Sequence, residues 1–212
     1  MDFDEFNQPN LSESPSGEGY WHRKFGPKAG AIAAAIIEVA QIVLVSAAII
    51  IPVRYFLIQP FYVKGASMEP NYHDNEYLII NEIAYRLREP MRGEIVVFRY
   101  PRNPREFFIK RVIGLPGETV EVNNDQVVIY NEDYPNGAVL DEPYLQGQLT
   151  FGNKKTSLGP DEYFVFGDNR PESLDSRAFG SLPRRNIVGR VWLRGLPLSK
   201  IGVFELPTYQ NL

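Results

Sequence analysis

Apolar residues run almost unbroken from Ala29 to Val53 in AGAIAAAIIEVAQIVLVSAAIIIPV, with Glu38 the one charge. At ~1.5 Å per residue, about 25 helical residues reach roughly 37 Å, enough to cross a ~30 Å hydrocarbon layer with tilt. Pro52 stands near the far end, where a break costs little. After Pro60 the pattern changes to short stretches rich in Val, Ile, Phe and Tyr, separated by Gly, Pro, Asn and Asp: FYVKG, EYLII, GEIVVFRY, EFFIKRVIG, ETVEV, QVVIYN, EYFVFGD and IVGRVWLR. VEVNNDQVVIY reads as a hairpin turning near Asn124 and Asp125, and EIAYRLRE, Glu82 to Glu89, as one short helix. The pattern predicts a mainly β chain of antiparallel sheets forming a partly closed, barrel-like domain behind a single N-terminal transmembrane helix. DYPNGAVLDEPYLQGQLTFGNKKTSLGP is a long turn-rich excursion between strands.

The flanks refine this division. Residues 1–28 begin with an acidic, Ser-, Pro- and Gly-rich run that reads as a disordered cytoplasmic tail. The anchor is expected over 29–58 and the β domain over 59–212. Arg23, Lys24 and Lys28 precede the span and Arg54 and Lys64 follow it, which favours a cytoplasmic N-terminus and an extracytoplasmic bulk in a cell membrane. A cleaved secretory signal is the competing reading, since VSAA resembles a cleavage site; the apolar run continuing through Ile51 and in YFLIQPFYV opposes it. Glu38 is either a protonatable intramembrane group or a carboxyl near the interface, packed beside Gln41. A net charge of −4 offers no basic field, so nucleic acid is not an expected partner. The chain has no cysteine, which removes disulfides, thiolate metal sites and cysteine nucleophiles. No nucleotide-binding loop or metal-spaced ligand cluster is present, so no cofactor and no metal are expected.

VKGASMEPNY displays Ser67 between small residues and a proline. A nucleophile elbow would need glycine where Glu69 stands, and a Ser-x-x-Lys site would need lysine where Pro70 stands. Of the two histidines, His22 precedes the proposed span and His73 lies in the polar turn NYHDNE. Lysine remains. Strand alternation in FFIKRVIGLPGE puts Phe108, Lys110 and Val112 on one face and Phe107, Ile109, Arg111 and Ile113 on the other. A lysine between Phe and Val loses hydration, its pKa falls, and the neutral amine becomes a general base for a neighbouring hydroxyl. Read alone, without Ser67, Lys110 is a strand lysine whose amine snorkels to water. In GDNRPESLDSRAFG, Ser173 offers a second hydroxyl, and Asp175 and Arg177 an ion pair that alone would be worth little.

Together these stretches resemble the type I signal peptidases, the leader peptidases of bacterial membranes. The nucleophile box is similar to GASMEP, the lysine box to FIKRVIGLPGE and the last box to GDNRPESLDSR, in that order behind an N-terminal anchor; the resemblance covers roughly Ile32 to Leu193. It implies Ser67 as nucleophile and Lys110 as general base. It further implies that Ser173 hydrogen-bonds and orients the amine, and that Asp175 and Arg177 brace the loop with support from Asp168 and Arg170. Met68 would stand in the substrate-facing wall and the Ser67 N–H would meet the oxyanion. Gly65 departs from the serine that supplies a second oxyanion donor in some members, and Asn71 from a common threonine. The implied substrates are exported preproteins, cut after small residues by a monomer working beside membrane lipid. Two alternatives compete: a self-cleaving Ser–Lys repressor, which would need a DNA-binding domain in place of the anchor, and a non-catalytic tethered β domain that binds exported chains.

Overall fold

The computed structural model describes residues 27–52, 58–123 and 125–209. The expected tail and the Asn124 half of the predicted turn lie outside the described residues. Two compact units result, divided after Pro52.

The first unit contains α1, Pro27–Pro52. From Lys28 to Pro52 it is long and apolar enough to cross a membrane. Its Ile, Val and Leu side chains are uncovered within this unit, Leu44 at 70%. A helix apolar all round and not packed in a core suits lipid. The described helix runs to Pro52, and residue 58 opens a strand; the stretch of the expected anchor between them lies outside the described residues.

The second unit is mainly antiparallel β, as the pattern predicts. Its strands are β1 Ile58–Tyr62, β2 Tyr77–Asn81, β3 Ile95–Tyr100, β4 Asn103–Gly114, β5 Thr119–Asn123, β6 Gln126–Tyr130, β7 Ala138–Val139, β8 Lys154–Ser157, β9 Glu162–Phe166, β10 Leu182–Pro183, β11 Ile187–Leu196 and β12 Gly202–Val203. Short helices α2, Ala84–Leu87, and α3, Ser176–Phe179, interrupt them. The larger sheet has the order β1-β2-β11-β3-β4-β9-β10, with β12 on β11; the smaller is β7-β6-β5-β8. Neither closes on itself. The predicted hairpin forms with Asn123 opposite Gln126, and Asp125 turns at φ 62°. The turn-rich excursion supplies β7 and β8, which its composition did not reveal.

The continuous apolar run of β3 has a simple cause: it is buried on both faces. Ile95 and Val97 join Met68, Tyr72, Leu78 and Ile80 in one cluster, while Val96 and Phe98 join Val112, Tyr163 and Val165 in another. Each such side chain contributes about 1.5–3 kcal/mol of transfer free energy. A third cluster, with Ile113, Val120, Val127 and Phe166, joins the smaller sheet to the ends of β4 and β9. From Lys110 onward the central strand β4 thus passes through dry protein, whereas Pro104–Phe107 are exposed.

Candidate active site

Lys110 lies in β4 directly across from Val96 of β3. It is 4% exposed, and its amine sits 5.6 Å from the Phe108 ring centre. The alternation read from the sequence, with Phe108 and Val112 on its face, is what the strand adopts. Lys110 Nζ lies 2.6 Å from Ser67 Oγ and 2.8 Å from the carbonyl oxygen of Ile109. Burial pushes the amine down from its ordinary 10.5 to about 8, against the upward pull of the Asp175 and Asp168 carboxylates. That pull is limited because each carboxylate is already bound to an arginine.

Ser67 sits in the turn after β1. Gly65, at φ +91°, makes the entry that a side chain would disfavour, and its N–H donates to Asp74 Oδ1 at 2.8 Å. Met68 anchors the turn from below: it is 1% exposed and belongs to the core cluster rather than to a substrate-facing wall. The resemblance placed it on that wall; the close-packed neighbours Val63, Tyr72 and Leu78 draw it inward instead.

From above, the segment after β9 holds the same turn. Asn169 N–H donates to Ser67 O at 3.1 Å, and its side-chain amide donates to Ala66 O at 3.1 Å. Gly167 permits this approach: a Cβ there would lie 2.4 Å from Ser67 O and 2.2 Å from Ser173 Oγ. Ser173 therefore stands beside the nucleophile's backbone, but the expected bond to Lys110 is not formed. Its Oγ is buried without a hydrogen-bond partner, while the amine is engaged by Ser67 and Ile109.

Three ion pairs brace this segment. Arg177 grips Asp175 through Nε (2.9 Å) and Nη2 (2.7 Å), as expected, and also donates to Arg170 O at 2.6 Å. Asp175 additionally caps α3 by accepting from Arg177 N, and accepts from Gly167 N. Asp168 and Arg170 support the loop, though not through each other. Asp168 is held by Arg111 through Nε (2.8 Å) and Nη2 (2.6 Å) and accepts from Asn71 at 2.8 Å. Arg170 reaches Glu142 (2.9 Å) and Thr150 in the turn-rich excursion. Sequence reasoning missed Arg111, Asn169 and Glu142. Arg111 adjoins the lysine and Asn169 lies inside the last box, so adjacency was a usable signal for both; Glu142 carried none. Asn71, noted as a departure, joins Asp168 to Tyr144 O at 3.1 Å.

The pair opens into a cleft of about 460 Å³ lined by Phe61, Val63, Leu78, Val97, Phe107 and Ile109, with Ser67 and Lys110 in its wall. Among the described residues β1 pairs only with β2, and β9 meets β4 only from Arg111 onward. Strand edges therefore lie free beside the cleft. A hydroxyl touching a dry amine, next to such edges, can attack an extended peptide's carbonyl.

Comparison with known proteins agrees. The sequence model of the family described as signal peptidase, peptidase S26, matches residues 36–195. A probable signal peptidase I-2 from Synechocystis sp. is 37% identical over 172 residues, covering 79% of this chain and 76% of that protein. A signal peptidase I from Bacillus amyloliquefaciens is 34% identical over 178 residues, covering 79% and 91%. A crystal structure of a signal peptidase I from Enterococcus faecalis is 34% identical, with a TM-score of 0.42 over 49% of this chain and 97% of that one. Matched along most of its length by the family model and by these relatives, the chain belongs to the signal peptidase S26 family of serine peptidases.

Proposed function

We propose that this protein is a membrane-anchored endopeptidase that removes N-terminal signal peptides from translocated preproteins with a Ser67–Lys110 dyad. The single observation carrying the reading is the 2.6 Å contact between Ser67 Oγ and a buried Lys110 amine. With its pKa near 8, the amine is neutral in an appreciable fraction of molecules at neutral pH. The neutral lone pair accepts the Ser67 proton as Oγ attacks the scissile carbonyl carbon. The oxyanion forms against the Ser67 N–H. Lys110, now an ammonium, returns the proton to the departing amine, leaving an acyl-enzyme. Water then gives a proton to the neutral amine as its oxygen attacks the ester; the resulting ammonium returns that proton to Ser67 Oγ as it departs, freeing the carboxylic acid product.

The surrounding groups take supporting roles. Ser173, whose Oγ is buried without a hydrogen-bond partner, orients the amine when a substrate repacks the site. Asp175 with Arg177, and Asp168 and Arg170 with their partners, keep the loop over Ser67 rigid. An extended preprotein adds along the free edges of β1 and β4, presenting alternate side chains to the cleft. The exposed Leu196, Leu198, Ile201 and Val203 around the β11–β12 hairpin offer apolar surface to lipid. The N-terminus is cytoplasmic, the β domain lies outside, and one chain carries the complete site.

The test is cleavage of a signal-peptide-bearing preprotein by the full-length protein in detergent. Ser67→Ala and Lys110→Ala each reduce kcat by at least about a thousandfold while circular dichroism stays unchanged. A folded Lys110→Ala protein with near-parental activity would end the dyad reading.

A further inference from the structure

Phe204–Tyr209 belongs to no strand, although the Phe204 N–H donates to Trp192 O of β11 at 3.3 Å; Phe204, Pro207 and Tyr209 are partly buried while Glu205, Leu206 and Thr208 are exposed. The Phe204 ring packs on Tyr72, with centroids 5.5 Å apart, and lies 5.3 Å from the Arg111 guanidinium carbon. Pro207 and Tyr209 press on Gly93, where a Cβ would lie 2.8 Å from Pro207 Cγ and 2.9 Å from the Tyr209 hydroxyl. The Gly93 carbonyl is itself bound to Arg111, accepting from Nη1 at 3.0 Å. Tyr209 sits beside Tyr144, whose ring centre is 3.9 Å from the same guanidinium. Arg111 is consequently enclosed and 1% exposed.

We infer that this C-terminal strap positions the reacting pair: Phe204 and Tyr209 seal Arg111 from water, and Arg111 ties the strand carrying Lys110 to the loop holding Ser67. Arg111 follows Lys110 directly, and its partner Asp168 lies between Gly167 and Asn169, the residues that meet the Ser67 backbone. A dry, bidentate pair keeps those two chains in register; water raises the local dielectric and weakens the fork. Neither strap residue lines the cleft, so the effect falls on the geometry of reaction and not on substrate capture. This rests on Ser67 and Lys110 being the reacting groups.

The test uses the full-length protein in detergent with a signal-peptide-bearing preprotein. Tyr209→Ala and Phe204→Ala are expected to lower kcat about tenfold with KM changed less than about twofold, because small misplacements slow chemistry. Tyr209→Phe, which keeps the ring, retains kcat. In an Arg111→Lys background, which lacks the fork, Tyr209→Ala adds less than about twofold. Val127→Ala, in the apolar cluster that Tyr209 packs against, is the stability control and retains kcat. Should Tyr209→Ala fail to fold, Tyr209→Leu carries the same comparison. Retained kcat in the strap variants, independent losses in the Arg111→Lys background, or an equal loss in Val127→Ala would overturn the inference. Ser67→Ala separates the two ideas. Cleavage retained there removes the dyad, whereas an inert Ser67→Ala beside fully active strap variants removes only the strap's role.

Discussion

Replacing Lys110 with methionine should abolish cleavage and yet stabilise the protein at neutral pH. The lysine is 4% exposed, and burial lowers its amine from 10.5 to about 8. That shift is worth about 3 kcal/mol of differential interaction between the two protonation states. The folded pKa lies below the unfolded one, so between pH 8 and 10.5 the unfolded chain holds more protons. The penalty is therefore full below about 8 and is relieved as pH rises toward 10.5. Methionine has similar bulk and no charge, but it forfeits the bonds to Ser67 Oγ and the Ile109 carbonyl, together costing about 2 kcal/mol. The net gain at pH 7 is about 1 kcal/mol; it vanishes at about pH 9 and turns into a loss as the penalty is fully relieved. Urea unfolding in detergent, followed by tryptophan fluorescence at several pH values, reads the difference between variant and parent. Groups that titrate alike in both proteins cancel. Parallel stability profiles from pH 7 to 10.5 would refute the claim that this amine is dry.

Two further substitutions probe the loop over the nucleophile. Gly167→Ala would place a Cβ 2.4 Å from the Ser67 carbonyl oxygen, so kcat/KM should fall about a hundredfold while the fold survives; steady-state cleavage with circular dichroism checks it, and unchanged cleavage would show the loop yields freely. Asp175→Ala removes the Arg177 pair, the α3 cap and the acceptor for Gly167 N–H, so urea unfolding should register a loss of about 3 kcal/mol, and a loss below about 1 would mean the pair is not buried as described.

Much of this arrangement was legible from local pattern. Period-2 alternation placed Phe108 and Val112 beside Lys110, because a strand fixes side-chain direction whatever lies around it. The apolar run of α1 needed only length and composition. Partnership over long sequence separations was another matter. Asp168 and Arg170 were expected to support the loop, but local pattern named no partner for either; the fold gives Asp168 to Arg111 and Arg170 to Glu142. Those choices depend on where β4 and the excursion pass, which no local signal encodes. Met68 shows the same limit. Its neighbour Ser67 lines the cleft, while the methionine side chain lies in the core with Val63, Tyr72 and Leu78. The strap was invisible too, since FELPTY carries no periodicity and the seating of Pro207 and Tyr209 depends on the glycine at position 93.

The central claim is most directly tested by the pH dependence of kcat/KM for cleavage of a preprotein. The free enzyme's essential base sets the acidic limb. With Lys110 near 8, the rate should climb as the amine loses its proton and level off above that value. The limb should survive His73→Gln unchanged. A limb centred instead near the histidine range and removed by His73→Gln, or a rate flat from pH 6 to 9, would contradict an account built on a neutral lysine.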